Sequence, residues 1–321
     1  MAGKIKKVNG FHSIPESVSI PGRQDTLGQR LWKTLRHDWA AWLLFLPAIL
    51  LMYFVVWRPI AMGALYSFME MKGYTPVRFV GFENYLTILR DTEFVKTLIN
   101  TVWYVVLSLV VGFLPPVLIA IVLNEVVHGQ RFFKFAVYFP SVVPAIVVSM
   151  IWTLVYAPDA SGLFNMILEK LGFEPYVWLQ DTRFTILFII ISTTWHGFGA
   201  TTMYYLASLQ SVKQELYEAA VIDGAGLFRR LRTIALPHIS GIMLLFLVRQ
   251  IISVFQIMVE PLAMTAGGPN NASLSLALQA YRYAFVYFKP AESIALSMVT
   301  FAILMVLTLF YFRLEKRIDA A

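Results

Sequence analysis

Residues 211–237 read SVKQELYEAAVIDGAGLFRRLRTIALP, and the architecture of the whole chain follows from what this stretch is and where it lies. Ser211 opens a helical pattern, and Glu215 and Glu218 fall in its first turns, where the helix dipole favours negative charge. Asp223-Gly224-Ala225-Gly226 breaks the pattern. Leu227 to Leu236 resumes it with the arginines to one side, and Pro237 suits the start of a following helix, where its missing N–H matters least. The segment from about 209 to 240 is too long for a tight helix connection yet reads as helical throughout. It predicts a helix–turn–helix lying on a membrane surface.

The membrane is implied by what flanks the segment. Runs at 185–207 and 241–259 are apolar over a length that spans a bilayer, for which about 20 residues suffice. Four more runs lie at 40–58, 98–123, 135–156 and 293–312. Of 321 residues, 58% are hydrophobic and 14% charged, too few charges for the surface of a soluble domain this long. The runs are continuous rather than alternating, which excludes a β-barrel. The first lies too far in and is too long for a cleaved signal. The expected fold class is an all-α polytopic membrane protein with six transmembrane helices over residues 39–321, preceded by a flexible cytoplasmic arm at 1–38.

Basic residues set the expected orientation. They gather in the arm (Lys4 to Arg36), at Arg131 and Lys134, in the 209–240 segment (Lys213, Arg229, Arg230, Arg232), and at Arg313, Lys316 and Arg317. Six spans with both termini in the cytoplasm satisfy all four groups. The net charge of +7 is thereby topology, not a nucleic-acid surface. There is no cysteine, hence no thiolate metal site or thiol nucleophile.

Within the opening stretch, Glu218-Ala219-Ala220, three residues, Gly224, nine residues, Ile234, one residue, Leu236 and Pro237 reproduce E-A-A-x3-G-x9-I-x-L-P. This resembles the cytoplasmic coupling loop of the permease subunits of ABC importers, at every position and both spacings. FVGFENY (Phe79–Tyr85), NTVWY from Asn100, TAGGPNNAS (265–273) and AYRYAF (Ala280–Phe285) are similar to the carbohydrate-uptake branch of that family. The likeness extends from about residue 40 onward. One departure is Lys289, where many relatives carry a glycine.

The resemblance implies a type I importer permease core, with span one wrapping outside it, that forms the pathway for a sugar or oligosaccharide and hydrolyses nothing itself. It implies a bacterial inner-membrane location, a second and different permease subunit, two ATPase subunits holding ATP and Mg, and an external solute-binding protein. This chain itself would bind no cofactor. Glu218, Ala219, Ala220 and Gly224 would dock on the ATPase, with Asp223, Arg229, Leu236 and Pro237 around them. The chain has no G-x-x-x-x-G-K-[ST] with which to cradle nucleotide phosphates itself. Two alternatives stay open. A permease for amino acids, peptides or phosphate would keep the loop but lack FVGFENY and TAGGPNN. An ion-coupled secondary transporter would need paired intramembrane carboxylates, for which only Glu260 is available.

Polar groups inside apolar spans are costly and mark candidate pathways. Span two begins with Asn100 and Tyr104, span three holds Trp152, span four holds Trp195, His196 and Tyr204, and span five holds Arg249, Gln250, Gln256 and Glu260. Aromatic rings stack on sugar faces, and amides and carboxylates bond hydroxyls. The competing reading of each residue is helix packing or an interfacial belt.

Overall fold

The computed structural model describes residues 39–125 and 128–318. The arm expected over 1–38 lies outside the described residues. The chain divides into two units, Met1–Ile60 and Ala61–Ala321. The described part of the first is apolar helix with Pro47 inside it and a π turn at Tyr53–Trp57. Its large side chains are exposed, as suits a helix whose solvent is lipid.

Among the described residues, five helices are long and apolar enough to cross a membrane: Ala41–Tyr66, Thr92–Glu125, Thr185–Gln210, Leu227–Phe255 and Pro290–Arg313. The remaining run, expected as one span over 135–156, is instead a broken pair, Gln130–Val142 and Ala145–Val155, bent by 97°. Pro144 causes the break, since a residue before proline is driven out of helical conformation, and Val143 is extended at ψ 136°. Span four stabilises the bend. Gly199 lies so close to the broken helix that an added Cβ would sit 2.0 Å from the Val137 carbonyl oxygen. Ser141 donates to the His196 carbonyl at 2.8 Å and accepts from the Ala200 N–H at 3.2 Å.

Three further prolines are absorbed by two widened turns. Pro115 and Pro116 follow a π turn at Ser108–Gly112, and Pro237 follows one at Leu231–Ala235. A proline ring clashes with the carbonyl four residues back, and an extra residue in the preceding turn relieves this. Pro237 stands in the first turn of the Leu236–Phe255 helix as expected, and the π turn before it carries the helix back to Leu227. That helix also ends at Phe255, short of the expected 259, so Glu260 belongs to a separate short helix, Val259–Thr265.

The segment between the first two spans carries one feature an all-α reading lacks. Met69–Lys72 and Thr75–Phe79 form a two-stranded antiparallel hairpin, closed by Gly73 in left-handed conformation and by an Arg78–Glu70 ion pair. Helix Glu83–Arg90 follows. Asn84 ties its start back to the carbonyls of Ser67 and Met69, both at 2.9 Å.

Packing inside Ala61–Ala321 falls into three apolar clusters. One joins Val117 and Leu123 of span two to Tyr205 of span four and Ile239 and Phe246 of span five. A second gathers Tyr104, Tyr156, Ile190 and Ile257, and a third joins Phe255 and Leu276 to Leu296 of the last span. Lipid is as apolar as leucine, so shape and small residues hold such helices together more than burial does. Many hydroxyls within the spans are satisfied locally: Thr101, Ser149, Thr193, Thr202 and Thr300 each donate to the carbonyl four residues back.

Candidate functional site

The coupling segment has the expected outline with a later start. Its helix runs Gln214–Ile222, N-capped by the Lys213 backbone, while Ser211 turns instead to Ser208 and His238. Glu215 occupies the first turn as expected. At the other end Asp223 is the cap and Gly224 adopts φ +73°, a conformation that side chains with a Cβ resist. The Gly224 N–H donates to Val221 at 3.0 Å and the Ala225 N–H to Ala220 at 2.8 Å. This pair of bonds is a Schellman closure, which satisfies the Ala220 and Val221 carbonyls at the helix end.

Glu218 is exposed and accepts from the Gln214 side-chain amide at 2.8 Å. Ala219 is exposed beside it, and Ala220 is half-buried. Past the turn, Arg229 and Leu236 are exposed. Ile222 is 85% exposed and Phe228 78%, so an apolar tip flanks the acidic helix. From Leu227 the chain runs as helix to Phe255, 29 residues, a rod of about 43 Å at 1.5 Å per residue.

Two cavities lie along that rod. One of about 300 Å³ takes Arg249, Gln250 and Ser253 from span five, with His196, Thr194 and Thr201 from span four. The other, about 610 Å³, takes Gln256 and Glu260, with Ser297 and Thr300 of the last span. They share Thr193, Ser253 and Val254. The structure therefore brings Gln256 and Glu260 together in one cavity, and Gln250 and His196 in its neighbour.

The last two also have packing duties. Gln250 donates to the Ser108 carbonyl at 2.6 Å. His196 Nε2 lies 2.9 Å from the Val143 carbonyl, which requires the proton on that nitrogen. Arg249 rests over the Phe246 ring at 5.7 Å.

The other expected pathway residues stand elsewhere. Asn100 donates to the carbonyls of Asn271 at 2.8 Å and Leu274 at 3.1 Å, and Tyr104 to that of Ser273 at 2.9 Å. Both anchor the loop after span five. Trp152 and Trp195 meet edge to face at 5.7 Å, and Trp152 also meets Phe164. That cluster continues to Trp178, whose indole donates to buried Asn165. Tyr204 is exposed and lies against Phe246 at 5.3 Å, outside both cavities. Sequence reasoning missed Thr193, Ser253, Ser297 and Thr300. The last two belong to a hydroxyl stripe with Ser293, spaced four and three residues apart down one face of the final span, and that spacing was available as a signal.

A helical membrane protein with a surface loop docked to a long span and hydroxyl-lined cavities along it has the form of a permease. The family model described as "Binding-protein-dependent transport system inner membrane component" matches residues 117–320. The chain is 32% identical over 238 residues to the trehalose/maltose transport system permease protein MalF of Thermococcus litoralis, covering 74% of this chain and 80% of that one. It is 30% identical over 315 residues to the arabinooligosaccharides transport system permease protein AraP of Bacillus subtilis, covering 97% of each. In fold it is similar to a chain of a bacterial ABC transporter involved in the import of the acidic polysaccharide alginate. The TM-score is 0.81 at 24% identity, over 90% of this chain and 99% of that one.

The chain belongs to the family of inner-membrane components of binding-protein-dependent transport systems. It is a multi-pass permease subunit of an ABC importer, a transport subunit rather than an enzyme.

Proposed function

We propose that this chain forms one side of the pathway for a sugar or oligosaccharide, driven by ATP hydrolysed elsewhere. The observation that carries the coupling half is the exposed Gln214–Ile222 helix, with its apolar tip and glycine closure, joined by the turn at 223–226 to the Leu227–Phe255 rod along which the cavities lie. Support for the substrate comes from relatives named for trehalose and maltose and for arabinooligosaccharides. The hydroxyl- and amide-lined cavities suit a polyhydroxylated solute.

In this reading two ATPase subunits, each with ATP and Mg, receive the coupling helices of this chain and of a second, different permease. Both termini are cytoplasmic, and an external binding protein delivers sugar to the opposite face. Glu218, Ala219, Ala220 and Gly224 form the contact, with Asp223 and Arg229 as polar neighbours. Closure of the ATPase dimer moves the tip, and the Leu227–Phe255 rod carries the displacement to Ser253 and Gln256. Such a shift requires nucleotide and loaded binding protein to favour one state differentially. Uptake of labelled neutral oligosaccharides into proteoliposomes of the complete system, with ATP inside or outside, tests the reading. Uptake of amino acids or phosphate in their place would replace the substrate class.

A further inference from the structure

A third cavity, about 720 Å³, shares no lining residue with the two above and opens between the beginnings of spans two and four. Span two contributes Lys96, Ile99, Trp103 and Leu107, spaced three, four and four residues apart and so on one face. Lys96 to Leu107 is eleven residues, about 16 Å of helix rise. One leaflet of the hydrocarbon core is about 15 Å deep. Span four adds Phe184 and Leu187, with Arg183 just ahead of its first turn.

The groove is thus cationic at the mouth and apolar along one leaflet's depth. The Lys96 amine donates to the Asn270 carbonyl and keeps further N–H groups free. The Arg183 guanidinium lies 5.5 Å over the Phe184 ring. Asp181 accepts from its Nε at 3.1 Å and Nη2 at 2.9 Å, so Nη1 is left to a ligand. Bonds from Arg183 and from the Tyr176 hydroxyl hold the Asp181 carboxyl well below the usual carboxylate range, so this pair stays fixed. Lys96 then supplies the net charge and Arg183 an oriented donor.

We propose that this cavity binds one anionic phospholipid, its phosphate on Lys96 and Arg183 and one acyl chain along Ile99, Trp103 and Leu107. A lipid satisfies mouth and wall together, whereas an apolar helix of a partner chain would satisfy only the wall. The site needs these helix ends to reach a membrane surface, on either side of the membrane, and so stands apart from the substrate reading.

The test is native mass spectrometry of the intact transporter, with its partner subunits, titrated with phosphatidylglycerol or phosphatidylcholine in mild detergent. Phosphatidylglycerol should be retained in preference. Lys96→Gln should weaken that retention about fivefold, the effect of removing one base near a headgroup. Lys96→Arg should preserve it. No retained lipid, equal retention of the two lipids, or unchanged retention in Lys96→Gln would overturn the proposal. So would a photo-crosslinker at Ile99 that captures a partner permease in place of lipid.

Discussion

The side-chain amide of Gln250 donates to the backbone carbonyl of Ser108 at 2.6 Å, binding span five to the π turn of span two. The contact is close on every side: a Cβ on Gly112 would lie 2.9 Å from Thr194 Oγ1 and 3.0 Å from Gln250 Nε2. Three spans meet there on one cavity wall.

Gln250 and Gln256 should therefore respond differently to truncation. Gln250→Leu removes an interhelical hydrogen bond, worth about 0.6 kcal/mol on average within membranes, and should lower the melting temperature of the detergent-solubilised protein. Gln256 is exposed and lines its cavity, with no side-chain bond among the described residues, so Gln256→Ala should leave melting unchanged and raise the KM for uptake. A Gln256→Ala protein with wild-type uptake would return that residue to mere lining.

Span four carries two glycines with opposite demands. At Gly199 an alanine methyl meets the Val137 carbonyl oxygen at 2.0 Å, whereas at Gly197 it meets nothing within 4 Å. Gly199→Ala should destabilise by about 3 kcal/mol, the upper range of overpacking, because the broken third span must move away. Gly197→Ala should be neutral or slightly stabilising, as alanine favours helix over glycine. Equal melting temperatures for the two variants would contradict the packing described.

In the coupling segment, Gly224→Ala forces a Cβ into left-handed conformation at about 1–2 kcal/mol, without any clash around it. Transport should fall while membrane insertion persists. Glu218→Lys should leave the subunit assembled and separate ATP hydrolysis from uptake. Normal ATP-driven uptake by Glu218→Lys would remove this helix from the coupling path.

The absence of native cysteine makes topology directly measurable. A cysteine at Glu83 should react with an impermeant maleimide in intact cells, and one at exposed Arg229 only after permeabilisation. The reverse pattern would invert the orientation of all six runs.

Much of this was legible because it is local. The helix, turn and helix of 214–236 follow from Glu215, Gly224 and the arginines, and apolar length alone marks the spans. What escaped depends on partners distant in sequence. The run 135–156 is apolar enough for one span, and Pro144 within it suits a kinked span as well as a broken one; the bend is held by Ser141 against His196 and Ala200 and by the close approach of Gly199, contacts distant in sequence. Apolar residues continue past Phe255, which hid the end of span five and placed Glu260 on the wrong helix. The sequence marks Asn100 and Tyr104 only as polar groups within a span; the loop carbonyls they hold lie about 170 residues ahead, which local reading does not reach. The hairpin at 69–79 was masked by turn residues that suit either a loop or a strand pair.

The central claim is tested most directly by affinity purification of this chain from gently solubilised native membranes, followed by transport assays on what is recovered. Recovery of an ATPase and a second permease, with uptake that requires ATP, is the result expected. Recovery of the chain alone, carrying solute in vesicles without ATP, would contradict it and assign transport to an ion-coupled mechanism.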